Sequence, residues 1–167
     1  MQAYQEKIKA LSLKLHDLFL IHHQIYVTAE SLTAGEISSA IVQTPGSSSY
    51  FEGGFVTYSN KLKHDILNVD NSVLESYGAV SEQTVKAMTK GALNQATNAT
   101  IAVAVSGIAG PDGGTPLKPV GTVWMCVQKR GSDPIATKLS LNGNREKIRA
   151  QTTICALEGL IKATLES

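Results

Sequence analysis

The segment TIAVAVSGIAGPDGG, residues 100–114, joins a run that is apolar on both faces to a polar, glycine-rich loop. A short apolar run without alternation is typical of a central strand whose two faces are both covered by helices. The segment GTVWMCV, residues 121–127, has the same character. Together these runs predict an α/β protein with a buried sheet.

The rest of the chain alternates between β and helical periodicity. β-favouring runs predict strands at 25–29, 53–58, 100–105 and 121–128, with a fifth, edge strand at 134–141. Apolar residues at helical spacing predict helices at 3–22, 34–43, 61–67, 71–77, 81–96 and 144–165. Helices between strands predict a three-layer α/β/α sandwich with a largely parallel sheet. We expect the 167 residues to form one domain.

Composition disfavours several classes of protein. A net charge of +1 and 5% aromatic residues are unlike a nucleic-acid-binding surface. No apolar run approaches the ~20 residues of a membrane span, and the polar N-terminus is unlike a signal peptide. Cys126 and Cys155 lie in separate predicted elements, which suits reduced thiols. We therefore expect a cytoplasmic protein that binds neither nucleic acid nor membrane.

Three polar or glycine-rich segments follow directly after predicted strands. They are ESLTAG (30–35), YSNKLK (58–63) and SGIAGPDGG (106–114). Ligands of open α/β sheets bind beyond the carboxyl ends of the strands, so parallel strands would bring the three segments to one edge. The amides of the third segment suit a phosphate or an oxyanion, although such a loop is often a plain connector.

The chemistry-bearing residues point to a nucleophile without a metal or cofactor. There is no metal-ligand spacing, no Gly-Lys dipeptide and no GxGxxG pattern. Only His64 lies near one of the loops, which disfavours a Ser-His-Asp arrangement. Ser31 is either a helix N-cap, a role that Thr33 could also fill, or a nucleophile.

A serine nucleophile needs a base, and the second loop offers three candidates. They are Tyr58, Lys61 and Lys63. A lysine serves as a base near neutral pH only if burial or nearby positive charge lowers its pKa from about 10.4 to roughly 7 or 8. The alternative is that both lysines lie on a solvated first helical turn and form ordinary ion pairs.

Five ordered blocks cover nearly the whole chain and closely resemble the CinA C-terminal-domain family. They are AESLTAG, PGSSSYFEGGFVTYSNKLKHDILNV, GAVSEQTVKAM, SGIAGPDGGTPLKPVGTVW and GNREKIR. Stand-alone members of that family are nicotinamide mononucleotide (NMN) deamidases. The resemblance implies a mixed, mostly parallel five-stranded sheet and a homo-oligomer. It also implies metal-free hydrolysis of NMN to nicotinate mononucleotide and ammonia, in pyridine nucleotide salvage.

The resemblance also implies roles for individual residues. The family's ESCTGG serine falls on Ser31, its YSNxxK lysine on Lys63 and its tyrosine on Tyr58, which makes these three the catalytic candidates. The remaining residues implied at the site are candidates for substrate binding: Glu30, Thr33, Gly35, Ser48, Lys61, Ser106, Gly107, Ile108, Ala109, Gly110 and Arg145.

Two residues depart from the family pattern beside the expected nucleophile. Leu32 and Ala34 stand where the family usually has Cys and Gly. Ala34 adds a methyl group where close backbone approach could be needed. An inactive or altered-substrate nucleotide-binding relative is therefore the alternative to an NMN amidase.

Overall fold

Five strands form one sheet in the computed structural model, which describes residues 1–167. They are β1 (Tyr26–Glu30), β2 (Phe51–Val56), β3 (Ile101–Gly107), β4 (Thr122–Lys129) and β5 (Ile135–Ser140). Their order across the sheet is β2-β1-β3-β4-β5. All five predicted strands are therefore confirmed, each within two residues of its predicted bounds.

The sheet is mixed, and only half of its pairings are parallel. β1 pairs in parallel with β2 and β3, whereas β4 is antiparallel to both β3 and β5. β4 alone runs against the other four strands, so the expectation of a mixed, mostly parallel sheet is confirmed. No helix lies between β3 and β4 or between β4 and β5, and strands joined without a crossover element pair antiparallel.

Helices cover both faces of the sheet. They are α1 (Gln2–His22), α2 (Glu36–Val42), α3 (Asn60–Leu67), α4 (Asn71–Tyr77), α5 (Glu82–Gln95) and α6 (Arg145–Leu165), with one unpredicted 3-10 turn at Ser47–Ser49. Helices α1, α2 and α6 contribute to the core on one face, and α3, α4 and α5 to the core on the other. No helix has both the length and the apolarity needed to cross a lipid bilayer.

The central strand β3 shows why two helical layers are needed. Ile101, Val103 and Val105 point into the core shared with α1, α2 and α6, and Ala102 and Ala104 into the opposite core. All five are fully buried. Burying each larger side chain contributes roughly 1.5–3 kcal/mol. The double burial confirms the α/β/α sandwich.

Both cysteines are free. Cys126 is buried in β4 and Cys155 is partly buried in α6. Burial raises the pKa of the Cys126 thiol to about 11. Because the thiolate is the reactive form, Cys126 behaves as a packing residue.

Candidate active site

A small cavity of about 220 Å³ opens at the carboxyl edge of the three parallel strands. Because β2, β1 and β3 run in one direction, the three loops that follow them meet there. Ten residues line the cavity: Ser31, Leu32, Tyr58, Lys63, Ala79, Val80, Ser106, Gly107, Ala109 and Arg145. Six of them are among the predicted catalytic and binding residues of the three loops.

Ser31 lies on a tight turn between β1 and α2. Its backbone N–H donates to the Val105 carbonyl oxygen at 3.2 Å, and its own carbonyl accepts from the Ala34 N–H at 3.1 Å. The N-cap of α2 is Gly35, with no side-chain capping bond from that residue. The interpretation of Ser31 as an N-cap is therefore wrong, and its hydroxyl faces the cavity instead.

The helical phase of α3 separates the two lysines. Lys63 and Leu67 are four residues apart and both are buried, so they share the inner face of the helix. Lys61 and Asp65, also four apart, form an ion pair on the exposed face. Lys63 therefore reaches the cavity, and Lys61 does not.

The Lys63 amine has three hydrogen-bond partners and no carboxylate. Nζ donates to Ser31 Oγ and to the carbonyl oxygens of Thr57 and Tyr58, at 2.9 Å in each case. The side chain is buried, and this burial lowers the pKa of Lys63 to about 8. An amine with this pKa is partly neutral close to physiological pH.

The neutral form of Lys63 is oriented for accepting a proton. A neutral amine has two N–H donors and one lone pair, and the carbonyls of Thr57 and Tyr58 occupy the two donors. The lone pair is then left facing the Ser31 hydroxyl. The same three contacts hold the protonated amine as a donor and leave the neutral amine within reach of the Ser31 hydroxyl, which also donates to the Tyr58 carbonyl at 3.4 Å.

Glu30 has a structural position rather than a substrate-binding one. Its carboxylate is fully buried and accepts from the Thr33 hydroxyl and the backbone N–H groups of Gly35, Ile37 and Ser38 at 2.7–3.1 Å. It therefore caps the N-terminus of α2, where a negative charge is favourable. Thr33 is also fully buried, and neither Thr33 nor Gly35 lines the cavity.

The two departures from the family pattern have different surroundings. Leu32 packs into the core while lining the cavity. Ala34 is exposed and has a φ of +48°, a left-handed conformation that glycine adopts more easily. Its methyl group does not line the cavity.

Tyr58 and Arg145 form the outer rim of the cavity. The Tyr58 phenol is more than half exposed and accepts from Arg145 Nη2 at 3.4 Å. Arg145 Nη1 donates to the Gly110 carbonyl at 2.8 Å. The Tyr58 phenol therefore contacts Arg145, and it is the main-chain carbonyl of Tyr58 that touches Lys63.

The glycine-rich loop contributes fewer groups than the sequence predicts. Ser106, Gly107 and Ala109 line the cavity, and Ser106 is almost fully buried. Both backbone groups of Ile108 are used within the chain, because its N–H donates to Thr122 and its carbonyl accepts from Gly121. Ile108 is therefore not free to bind an anion.

Ser48 does not reach the cavity within the single chain. It lies in the 3-10 turn that precedes β2, whereas Ser31 follows the end of β1. Because β1 and β2 are parallel, the two residues lie at opposite edges of the sheet, which a strand of six residues separates by roughly 20 Å.

Sequence reasoning missed three residues around the site. Ala79 and Val80, just before α5, form part of the cavity wall, and nothing in their chemistry signals it. Arg149 Nε donates to the Leu32 carbonyl at 2.8 Å. Its position four residues after Arg145 puts both arginines on one face of α6, which is the signal that could have found it.

The fold and the site together define an α/β protein with a serine–lysine pair at the carboxyl edge of its parallel strands. A model of the CinA C-terminal domain matches residues 8–164. The chain belongs to the CinA C-terminal domain family.

Comparisons with individual proteins agree with this membership. The chain is 50% identical over 139 residues to nicotinamide-nucleotide amidohydrolase PncC of Pseudomonas putida, covering 83% of this chain and 86% of that protein. It is 47% identical to the protein of the same name from Enterobacter agglomerans, covering 83% and 84%. The crystal structure of competence/damage inducible protein CihA from Agrobacterium tumefaciens has a TM-score of 0.90 and 39% identity, covering 93% and 94%.

Proposed function

We propose that this chain hydrolyses the carboxamide of NMN to nicotinate mononucleotide and ammonia. Two relatives that are about half identical to it over most of their length bear the name nicotinamide-nucleotide amidohydrolase. The observation that carries the mechanism is the buried Lys63 amine, 2.9 Å from Ser31 Oγ. A hydroxyl becomes an effective nucleophile when a base at this distance takes its proton.

The first half of the proposed reaction forms an acyl-enzyme. Ser31 Oγ bonds to the carboxamide carbon while its proton moves to Lys63 Nζ, and the carbonyl electron pair moves to oxygen. When the C=O bond reforms, the C–N bond breaks. Lys63 returns the proton to the departing nitrogen, which leaves as ammonia.

The second half restores the enzyme. A water molecule attacks the ester carbon while Lys63 takes one of its protons. The bond between the acyl carbon and Ser31 Oγ then breaks, and Lys63 returns the proton to Ser31. The product is the carboxylic acid of the nucleotide, so atoms and charge balance over the cycle.

The size of the cavity suggests how NMN is placed. At about 220 Å³ it is smaller than the ~300–1,000 Å³ of typical ligand pockets, so only the pyridine carboxamide enters it. The ribose phosphate then extends over the rim, where Arg145 supplies a positive charge. A guanidinium group binds phosphate well because its donors match the phosphate oxygens.

Ammonia release from NMN tests this function. We expect the wild type to release ammonia, and Ser31→Ala to lose this activity with a nearly unchanged melting temperature, because the Ser31 hydroxyl caps no helix. Ser39→Ala, an exposed serine on α2, is the matched control. A folded Ser31→Ala variant with normal turnover would contradict the mechanism. A wild type that binds NMN without releasing ammonia would support the inactive relative instead.

A further inference from the structure

We propose that Arg149 is a positioning residue, which holds the turn after Ser31 so that the Leu32 N–H can bind the oxyanion formed during attack. The proposal rests on the proposed function, because it concerns the same nucleophile. It assigns the oxyanion donor, and it gives a role to an arginine outside the cavity.

The backbone N–H groups of Leu32 and Thr33 are the two donors that this turn leaves free, and of these two residues only Leu32 lines the cavity. The Leu32 N–H donates to no acceptor within the chain, although Leu32 is 3% exposed. Backbone N–H groups at buried positions are rarely left without a partner. In acyl-transfer enzymes the N–H of the residue after the nucleophile commonly binds the oxyanion. A substrate oxygen on the carbon attacked by Ser31 would supply the missing acceptor.

Arg149 contacts the same turn from α6. Its Nε donates to the Leu32 carbonyl at 2.8 Å, and Nη2 donates to the Thr33 carbonyl at 3.3 Å. Nη2 also lies 3.0 Å from the Glu36 carboxylate. Arg149 does not line the cavity, so it supports the turn without occupying the space where substrate would bind.

Two successive peptide planes are fixed by these contacts. The Ser31 carbonyl accepts from the Ala34 N–H, and the Leu32 carbonyl accepts from Arg149. Because a trans peptide is planar, fixing the Ser31 carbonyl sets the direction of the Leu32 N–H on its other side. Without Arg149, the Leu32 carbonyl loses its only donor, and the peptide that follows Leu32 can rotate.

Glu30 binds the side chain of Thr33, but it holds the backbone only in the other half of the loop. Its backbone partners are N–H groups from Gly35 onward, at the start of α2. The Leu32 carbonyl accepts from Arg149 alone, whereas the Thr33 carbonyl also accepts from the Glu36 N–H at 2.9 Å. Loss of Arg149 should therefore misplace the donor while leaving α2 capped.

The test compares kcat and KM for NMN in the wild type, Arg149→Met and Arg149→Lys. We expect kcat to fall about 10- to 100-fold in both variants, because a misplaced oxyanion donor acts only in the transition state. KM should stay within about threefold, and added guanidinium should restore part of the activity of Arg149→Met. The matched control is Lys147→Met, which removes an exposed positive charge from the same turn of α6 and should keep wild-type kcat.

A second readout works without NMN. An alkyl fluorophosphonate phosphonylates an activated serine: the Ser31 O–P bond forms, fluoride leaves, and the proton passes to Lys63. The phosphoryl oxygen then takes the place of the oxyanion, so both Arg149 variants should react about tenfold more slowly or slower still. If the wild type releases no ammonia from NMN, the proposed function fails, and the phosphonylation rate alone decides the role of Arg149. Three results would overturn the proposal. The wild type and the Arg149 variants could phosphonylate at equal rates, the variants could change only KM or melting temperature, or the wild-type Ser31 could resist the reagent.

Discussion

Lys63 Nζ lies 2.9 Å from Ser31 Oγ, and its other two partners are main-chain carbonyl oxygens. Its pKa is lowered by burial alone, without help from a neighbouring cation. Carbonyl oxygens orient the amine without the strong stabilisation of its charged form that a carboxylate would provide. This arrangement leaves the amine able to release and accept a proton near neutral pH.

The pH dependence of activity should follow the ionisation of Lys63. Its pKa of about 8 means that the neutral, proton-accepting form increases as pH rises through that value. We expect kcat/KM for NMN to increase about tenfold per pH unit below the pKa and to level off above it. Initial rates between about pH 6 and pH 9.5 measure this. A flat profile would exclude Lys63 as the base.

The two lysines of α3 should differ sharply on substitution. Lys63→Met removes the base and should lower kcat/KM at least 10²- to 10⁴-fold. Lys61→Met removes only an exposed ion pair with Asp65, so its kcat/KM should stay within about threefold of the wild type. Each variant is the control for the other. Comparable losses in both would contradict the placement of the two side chains.

Glu30→Gln should destabilise the protein more than it changes substrate binding. In glutamine, an NH2 group replaces one of the two carboxylate oxygens. This group cannot accept the hydrogen bonds that the oxygen receives from backbone N–H groups at the start of α2. Losing bonds to a buried charge should lower the free energy of unfolding by about 3–5 kcal/mol. Urea denaturation measures the effect. Glu52→Gln, on an exposed position of β2, should leave stability unchanged within about 0.5 kcal/mol.

Arg145 should discriminate NMN from its riboside. If Arg145 binds the phosphate, Arg145→Met lowers kcat/KM for NMN and leaves that for nicotinamide riboside nearly unchanged. The ratio of the two values should therefore shrink about tenfold or more, since charge-assisted hydrogen bonds contribute about 1.5–3 kcal/mol. Lys147→Met is the control, because it removes a positive charge from the same helix without removing Arg145. A wild type with equal kcat/KM for both substrates would rule out the phosphate role.

Ala34→Gly should stabilise the protein. Ala34 has a φ of +48°, where a residue with a Cβ carries roughly 1–2 kcal/mol of strain that glycine avoids. Part of that gain is offset by the greater freedom of glycine in the unfolded chain, so we expect about 0.5–1 kcal/mol. Ala10→Gly, at an exposed helical position of α1, should instead lower the free energy of unfolding. Activity should persist in Ala34→Gly because Ala34 does not line the cavity.

Local patterns in the sequence determined the elements and part of the site. The family resemblance, and not periodicity, selected Lys63 over Lys61, whereas the apolar runs of β3 and β4 predict buried strands and the apolar spacing of 3–22 and 144–165 predicts helices. These strands and helices follow from helical and strand periodicity, which a single stretch of chain contains in full. The strands, the helices and the convergence of three loops were therefore predictable.

Only the tertiary structure decided how distant groups meet. Arg149 and Leu32 are 117 residues apart, and their contact depends on how α6 packs beside the sheet. The antiparallel direction of β4 and the position of Ser48 at the opposite sheet edge also depend on strand order. The structural role of Glu30 depends on the tight turn that brings the start of α2 back to its carboxylate. The physical reason is that periodicity records which face of an element is buried, whereas the partner on that face is selected by packing and hydrogen bonding across the whole fold.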